Sequence, residues 1–140
     1  MKLNPKCIKD ILSVFETTVN DAGVTYTYHS WEDLQEEESL QEYSTNELAY
    51  HCQQIYLSEY LYNGRLYPQG GISFMDITPE AHSLLANMRI PAVYKAITKF
   101  ISIAGSSSIG QMASIATEAS AALLPDLLDL GNRVLHKPQK

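Results

Sequence analysis

The chain has 140 residues, 45% of them hydrophobic and 19% charged, with a formal net charge of −6. That length and mix describe one soluble globular domain with a real core, and they exclude a disordered or fibrous chain. The charge is uneven: residues 1–90 carry 13 acids against 5 bases, while residues 91–140 carry 3 against 5. Eleven carboxylates and no base fall between Lys9 and Arg65. Such a surface repels phosphate and suits a basic protein partner, or plain solubility.

Asn4-Pro5 predicts a helix start, with Asn as the cap and Pro in the first turn, where its missing N–H costs nothing. Ile8, Ile11, Leu12, Phe15 and Val19 then repeat at helical spacing, and Asn20-Asp21-Ala22-Gly23 ends the helix. Val24 to Tyr28 is β-branched and aromatic and reads as a short edge strand. Trp31 to Glu42 reads as one short acidic helix with Trp31, Leu34 and Leu40 inward and Glu36-Glu37-Glu38 on a solvated face.

Ser44-Thr45-Asn46-Glu47 is a capping box. The helix it opens turns Leu48, Cys52 and Ile55 to one side, and Glu47, Tyr50, Gln53, Gln54 and Leu57 toward the other. Asn63-Gly64 and Gln69-Gly70-Gly71 are both turn signals, the second suited to a wing tip ahead of Ile72 to Ile77. Thr78-Pro79-Glu80 opens another helix, with Ala81, Leu84, Leu85 and Met88 as its buried stripe.

Pro91 starts an amphipathic segment carrying Val93, Ala96, Ile97, Phe100 and Ile101 on one face, and Gly105 to Ser108 forms a joint. The next helix bears a row of small residues, Gly110, Ala113, Ala116 and Ala119, flanked by Ile109, Met112, Ile115 and Leu123. Small rows permit close backbone approach, either onto the chain's own domain or, over residues 109–123, onto a second copy. Pro125-Asp126 reads as the start of a last short helix, and His136 to Lys140 as a frayed end.

Helix, strand, turn, strand, helix over Ser44 to Arg89 is the order of a winged helix-turn-helix. The fold class expected is therefore α+β, mainly α. A winged helix-turn-helix core with a small β-wing spans 1–90, and a C-terminal helical extension, packed on the core or on a second copy, spans 91–140.

Ile77-Thr78-Pro79-Glu80-Ala81-His82 to Arg89 is similar to a Leu-Thr-x-Glu-Gly-His-x-Phe-Leu-x-x-x-Arg signature of small bacterial and prophage proteins. These form a winged-helix-like family of unknown function. The opening helix after Met1-Lys2 and the capped helix with His51 resemble the same family, so the likeness covers roughly residues 1–100. It implies a winged-helix-like fold and a phage or mobile-element origin, and brings no activity with it. Ala81 stands where the family favours Gly, and Tyr60 where it places a Gly at a helix end, which moves the expected helix stop to Asn63-Gly64.

Catalysis has little support. The histidines His29, His51, His82 and His136 fall in four different elements, and no His or Cys pair has metal-ligand spacing. No catalytic, cofactor or metal residue is assigned, and no cofactor is expected. Cys7 and Cys52 read as reduced core thiols of a cytoplasmic protein, with no secretory signal in Met1 to Asp10. Residues 100–117 lack charge but are too rich in Ser and Gly to span a bilayer, so no membrane is expected.

The expected interaction surface is Glu47, Tyr50, Gln53, Gln54, Leu57, Arg65 and Gln69. Gln53 and Gln54 have the chemistry to read adenine edges, and Arg65 and Arg89 to hold phosphates, yet two nearby bases fall short of the number DNA binding ordinarily uses. Tyr56, Tyr60, Tyr62 and Tyr67 are of the type that anchors protein interfaces. The expected role is that of a non-catalytic prophage-type accessory or regulatory protein. It would act through contacts with another protein, a basic one fitting best. The alternative is a winged-helix transcriptional regulator that binds DNA, with Lys2, Lys6 and Lys9 as an added patch in a dimer.

Overall fold

The computed structural model describes residues 1–19, 26–105 and 108–135. The expected turn at Asn20 to Gly23 and the tail from His136 lie outside them. The fold is α+β and mostly helical. In chain order it runs α1 (Pro5–Thr18), β1 (Thr27–His29), α2 (Trp31–Glu36), a 3-10 turn (Glu38–Leu40) and α3 (Thr45–Leu57). There follow β2 (Leu61–Tyr62), β3 (Arg65–Tyr67), β4 (Gly71–Phe74), β5 (Asp76–Ile77), α4 (Pro79–Met88), α5 (Pro91–Ala104) and α6 (Ile109–Leu135).

Helix starts follow the predicted chemistry. Asn4 accepts from the Lys6 N–H, and Thr78 from the Ala81 N–H, each ahead of a Pro at the first helical position. Ser44 and Glu47 form the full capping box of α3, and Ser30 with Asp33 forms a second one that opens α2. The acidic segment 31–42 is thus two pieces, α2 and the 3-10 turn, parted at Glu37, whose backbone is extended. Leu34 and Leu40 are both fully buried by that break.

The end of α3 is where the structure departs from the sequence reading. The helix stops at Leu57, six residues before Asn63-Gly64, in a Schellman motif. Tyr60 N–H donates to Ile55 O at 3.3 Å, Glu59 N–H to Tyr56 O at 3.1 Å, and Glu59 takes φ 60°. Glu therefore occupies the left-handed position that Gly fills at most such ends.

Asn63-Gly64 does not reverse the chain. Leu61 faces Ile77 and Tyr62 faces Asp76, and beyond the interruption Arg65 faces Ser73 and Tyr67 faces Gly71 in one unbroken register. The four strands are one long antiparallel hairpin, locally parted at Asn63-Gly64 and turned at Pro68-Gln69-Gly70. Strand β1 adds to its outer half in the order β1-β4-β3, so it lies at an edge as expected, but over Thr27–His29. Val24 and Thr25 lie outside the described residues.

One hydrophobic cluster runs through the whole fold, from Leu3 in the N-terminal segment to Ala116 in α6. Phe15 is its joint: its ring lies 4.5 Å from that of Phe74 on β4 and 5.9 Å from that of His29 on β1. Truncating a ring buried this way typically costs about 3–5 kcal/mol. Outside the core, Glu16 of α1 holds Arg89 at 3.1 Å and His82 at 3.3 Å, binding both ends of α4 to α1.

The segment after residue 90 belongs to the same core, because Val93, Ile97, Ile109, Met112 and Ala116 are all buried with it. Helix α6 lies on α4 and α5 of its own chain, and Ser120 Oγ donates to Asn87 Oδ1 at 2.9 Å. Gly110 is exposed, so the buried seam is Ile109, Met112 and Ala116 rather than the full small-residue row. Pro125 starts no new helix. It lies inside α6, which continues to Leu135 despite the one backbone bond that a proline forgoes.

Glu59→Gly should relieve the left-handed strain and raise stability by about 0.5–1 kcal/mol. Thermal unfolding checks it: the midpoint should rise by about 2–4 °C, and an unchanged or lower midpoint would contradict the account of the helix end.

Candidate functional site

Helix α3 is held by its cap and by a histidine. His51 is buried, its Nδ1 donating to the Glu47 carbonyl at 2.7 Å and its Nε2 accepting from the Asn4 N–H at 2.9 Å. That pattern fixes one neutral tautomer and ties α3 to the start of α1. Burial pushes the His51 pKa down, against a smaller upward pull from the Glu47 carbonyl and carboxylate. His29 is likewise lowered by burial. Nothing in the sequence singled out His51 as the strut of α3, because the bond to Asn4 spans 47 residues.

The expected surface residues divide. Gln53 and Leu57, one turn apart on α3, face solvent, as do Arg65 and Gln69 on the hairpin. Leu57 is 62% exposed, unusual for a large apolar side chain. Tyr50 and Gln54 are half-buried, Tyr50 packing on the core. Glu47 is occupied by the cap, its Oε1 accepting from the Ser44 N–H at 3.2 Å. Tyr50 and Glu47 thus serve the placement of the helix more than the face it presents.

The four tyrosines also divide. Tyr56 and Tyr62 are exposed, whereas Tyr60 is buried. Tyr67 is half-buried, its hydroxyl 2.9 Å from Ser73 Oγ. Tyr56, Leu57, Glu59, Leu61 and Gly64 line an open groove of about 430 Å³ at the end of α3. Gly64 lets the strand approach: a Cβ there would sit 2.9 Å from Leu61 Cβ and 3.3 Å from the Tyr56 ring. The Asn63-Gly64 signal marked this place in the sequence as a turn, when its use is close packing beneath Tyr56.

The hairpin tip folds back onto the body. A Cβ on Gly70 would meet the Trp31 indole at 3.3 Å, one on Gly71 would meet Tyr28 Oη at 2.5 Å, and Tyr28 Oη donates to Gly70 O at 3.3 Å. The tip is therefore seated against α2 and β1, with Gln69 at its exposed crest.

Most bases of the first ninety residues are already engaged. Arg89 is on Glu16, Lys6 is on Glu42 and near Asp10, and Lys9 lies over the Tyr94 ring at 5.0 Å. Arg65 forms no ion pair among the described residues. Arg89 and Lys6 are thus paired with carboxylates, whereas Lys2 is exposed and forms no ion pair among the described residues. Cys7 and Cys52 are buried, and burial pushes the Cys7 thiol up to about 12 and Cys52 well above its ordinary value. Both are poor nucleophiles in that state. Among the described residues no group of three His, Cys, Asp or Glu side chains is placed to hold a metal, and no helix is long and apolar enough to cross a membrane.

No family model matches the chain, and neither the curated proteins nor the solved structures contain a significant match to it.

Two measurements check the placement of this face. Gly71, at φ 154°, should not accept a side chain, and Gly71→Ala should cost about 1–3 kcal/mol in chemical denaturation. His51 has a folded pKa below its ordinary 6.5, so the unfolded chain takes up its proton first as pH falls. Stability owed to neutral His51 is intact above that value and declines between it and the lower folded pKa, by up to about 1.4 kcal/mol per pH unit. Urea midpoints at neutral and mildly acid pH should show this decline, and His51→Gln should flatten it.

Proposed function

We propose that the chain is a winged helix-turn-helix protein of the prophage-associated type, acting without catalysis in the cytoplasm through contacts with another protein. The element order supports the scaffold: helix, strand, helix, helix and hairpin, with the first strand paired to the second arm of the hairpin. In that reading α3 is the presenting helix and the hairpin turned at Gln69 is the wing.

The observation that carries the protein-contact reading is the exposed face of α3. It offers Gln53, Tyr56 and Leu57, joined by Tyr62 and the groove beneath Tyr56, and contains no base. Apolar and aromatic side chains of this kind gain free energy when a partner covers them, about 1.5–3 kcal/mol for a leucine. The surrounding carboxylates favour a partner that is basic where it meets the rim. Homodimerisation through residues 109–123 has less support, since Met112 and Ala116 are already covered within one chain.

One observation favours the alternative of a DNA-binding regulator. Arg65 is exposed and without an ion pair among the described residues, on the strand that packs against α3, which carries Gln53 and Gln54. Against it stands the phosphate count, because a protein that neutralises ~6–10 phosphates needs as many cations.

A low-salt electrophoretic mobility assay with random duplex separates the two. No salt-sensitive retardation is expected, and retardation that disappears in Arg65→Glu would overturn the protein-contact reading. A photo-crosslinker placed at position 53 in the source cell should capture a discrete protein, and Leu57→Asp should weaken that capture about tenfold or more, in keeping with the loss of one buried leucine.

A further inference from the structure

The end of α3 gathers negative charge that the chain itself does not match. Carbonyls at a helix C-terminus carry partial negative charge and are commonly met by a Lys or Arg in the last turn. Helix α3 has no base in its last turn, and Glu59, two residues beyond its end, adds a full charge. Glu59 is exposed and forms no ion pair among the described residues. Arg65, the next base along the chain, leaves it unpaired.

Glu59 also stands where a carboxylate is costly. Its φ of 60° lies in the left-handed region that Gly takes without strain. Backbone outliers of this kind cluster where a side chain is used in binding. Here the strained residue lines the groove beneath Tyr56, together with Leu57, Leu61 and Gly64, and no base lines it. The groove therefore presents an exposed aromatic ring, an exposed leucine and one unmatched carboxylate side by side.

We propose that this groove takes the side chain of an arginine carried by the protein partner. Glu59 is its counter-ion, the Tyr56 ring is its stacking surface, and Leu57 covers the aliphatic stem. The inference rests on the reading that the α3 face meets a protein, and it names the residue captured there. Arginine fits this set better than lysine. A guanidinium is planar, always charged and less strongly hydrated than an ammonium, so it lies on an aromatic face while its N–H groups fork to a carboxylate. It has five donors and no acceptor, and the groups that meet them, the carboxylate and the carbonyls ending α3, only accept.

Amide chemical shifts of the intact chain, followed during titration with acetyl-Gly-Arg-Gly-amide, test the proposal. Saturable shifts are expected over residues 56–64. The same peptide with citrulline, which keeps the shape and drops the charge, should produce none, and the lysine peptide should bind more weakly. Glu59→Gln should weaken binding about tenfold, since a charge-assisted bond becomes a neutral one. Glu59→Gly should weaken it at least as much while raising the unfolding temperature, so that loss of binding is not loss of fold. Tyr56→Leu should weaken it about threefold through the missing ring. Absence of saturable shifts, equal shifts with citrulline, tighter binding of the lysine peptide, or equal binding by Glu59→Gln would each overturn the proposal. These readings do not depend on the crosslinking at position 53. A protein captured there equally well by the unaltered chain and by Glu59→Gln would overturn the arginine pocket and leave the protein-contact reading standing.

Discussion

The contact between Phe15 and Phe74 is the joint on which the fold depends. Phe15 sits on the helix that opens the chain, and Phe74 on the central strand of the three-stranded sheet, 59 positions later. Their rings meet in a tilted geometry that gains more than area burial alone, and the His29 ring lies against both, stacked on Phe15 and tilted on Phe74. Weaken that contact and α1 keeps the sheet only through His29, on which Phe15 stacks and to which Thr18 Oγ1 bonds at 3.2 Å, and through β5. With α1 go Glu16, which holds both ends of α4, and Asn4, which holds His51 and so α3. Folded domains are stable by about 5–15 kcal/mol, so a joint worth several of those decides whether the other contacts form at all.

Charge then decides what such a scaffold can meet. A small helical domain with many free lysines could gather phosphates. Here the acids that dominate the first ninety residues take up the neighbouring bases in pairs, Glu42 with Lys6 and Glu16 with Arg89. Exposed pairs of this kind add little stability, but each removes a cation from the set available to a phosphate. The side chains that α3 leaves exposed include Gln53, Tyr56 and Leu57, none of them charged. The hairpin tip, seated against Trp31 and Tyr28, is placed to brace the body of the fold.

Much of the architecture was legible because it is written in local chemistry. The caps at Asn4, Ser44 and Thr78 and the stripe of α4 involve residues within one or two helical turns of each other, so their spacing carries the information. The misreadings share one cause. Asn63-Gly64 looks like a reversal, yet the hairpin register passes through it, because pairing on either side, with residues 76–77 and 71–73, outweighs the local preference to turn. Pro125 looks like a boundary, yet α6 runs through it to Leu135, one backbone bond short. The stop of α3 was placed too late, because the left-handed residue there is Glu59, which no composition rule marks. Within the expected interaction surface, Gln53, Leu57, Arg65 and Gln69 are exposed as read, while Tyr50 and Glu47 are taken up by the body and the cap.

The sequence by itself determined which segments are helix or strand, where most helices begin, which faces are apolar and that the surface is acidic. Each of these follows from neighbours in the chain and from composition. Only the tertiary structure decided that His51 is a neutral strut, that Arg89 is neutralised and that the segment after residue 90 shares the core. Those outcomes depend on groups separated by 33 to 73 positions, brought together by burial. No local spacing encodes which of many distant partners a side chain will find.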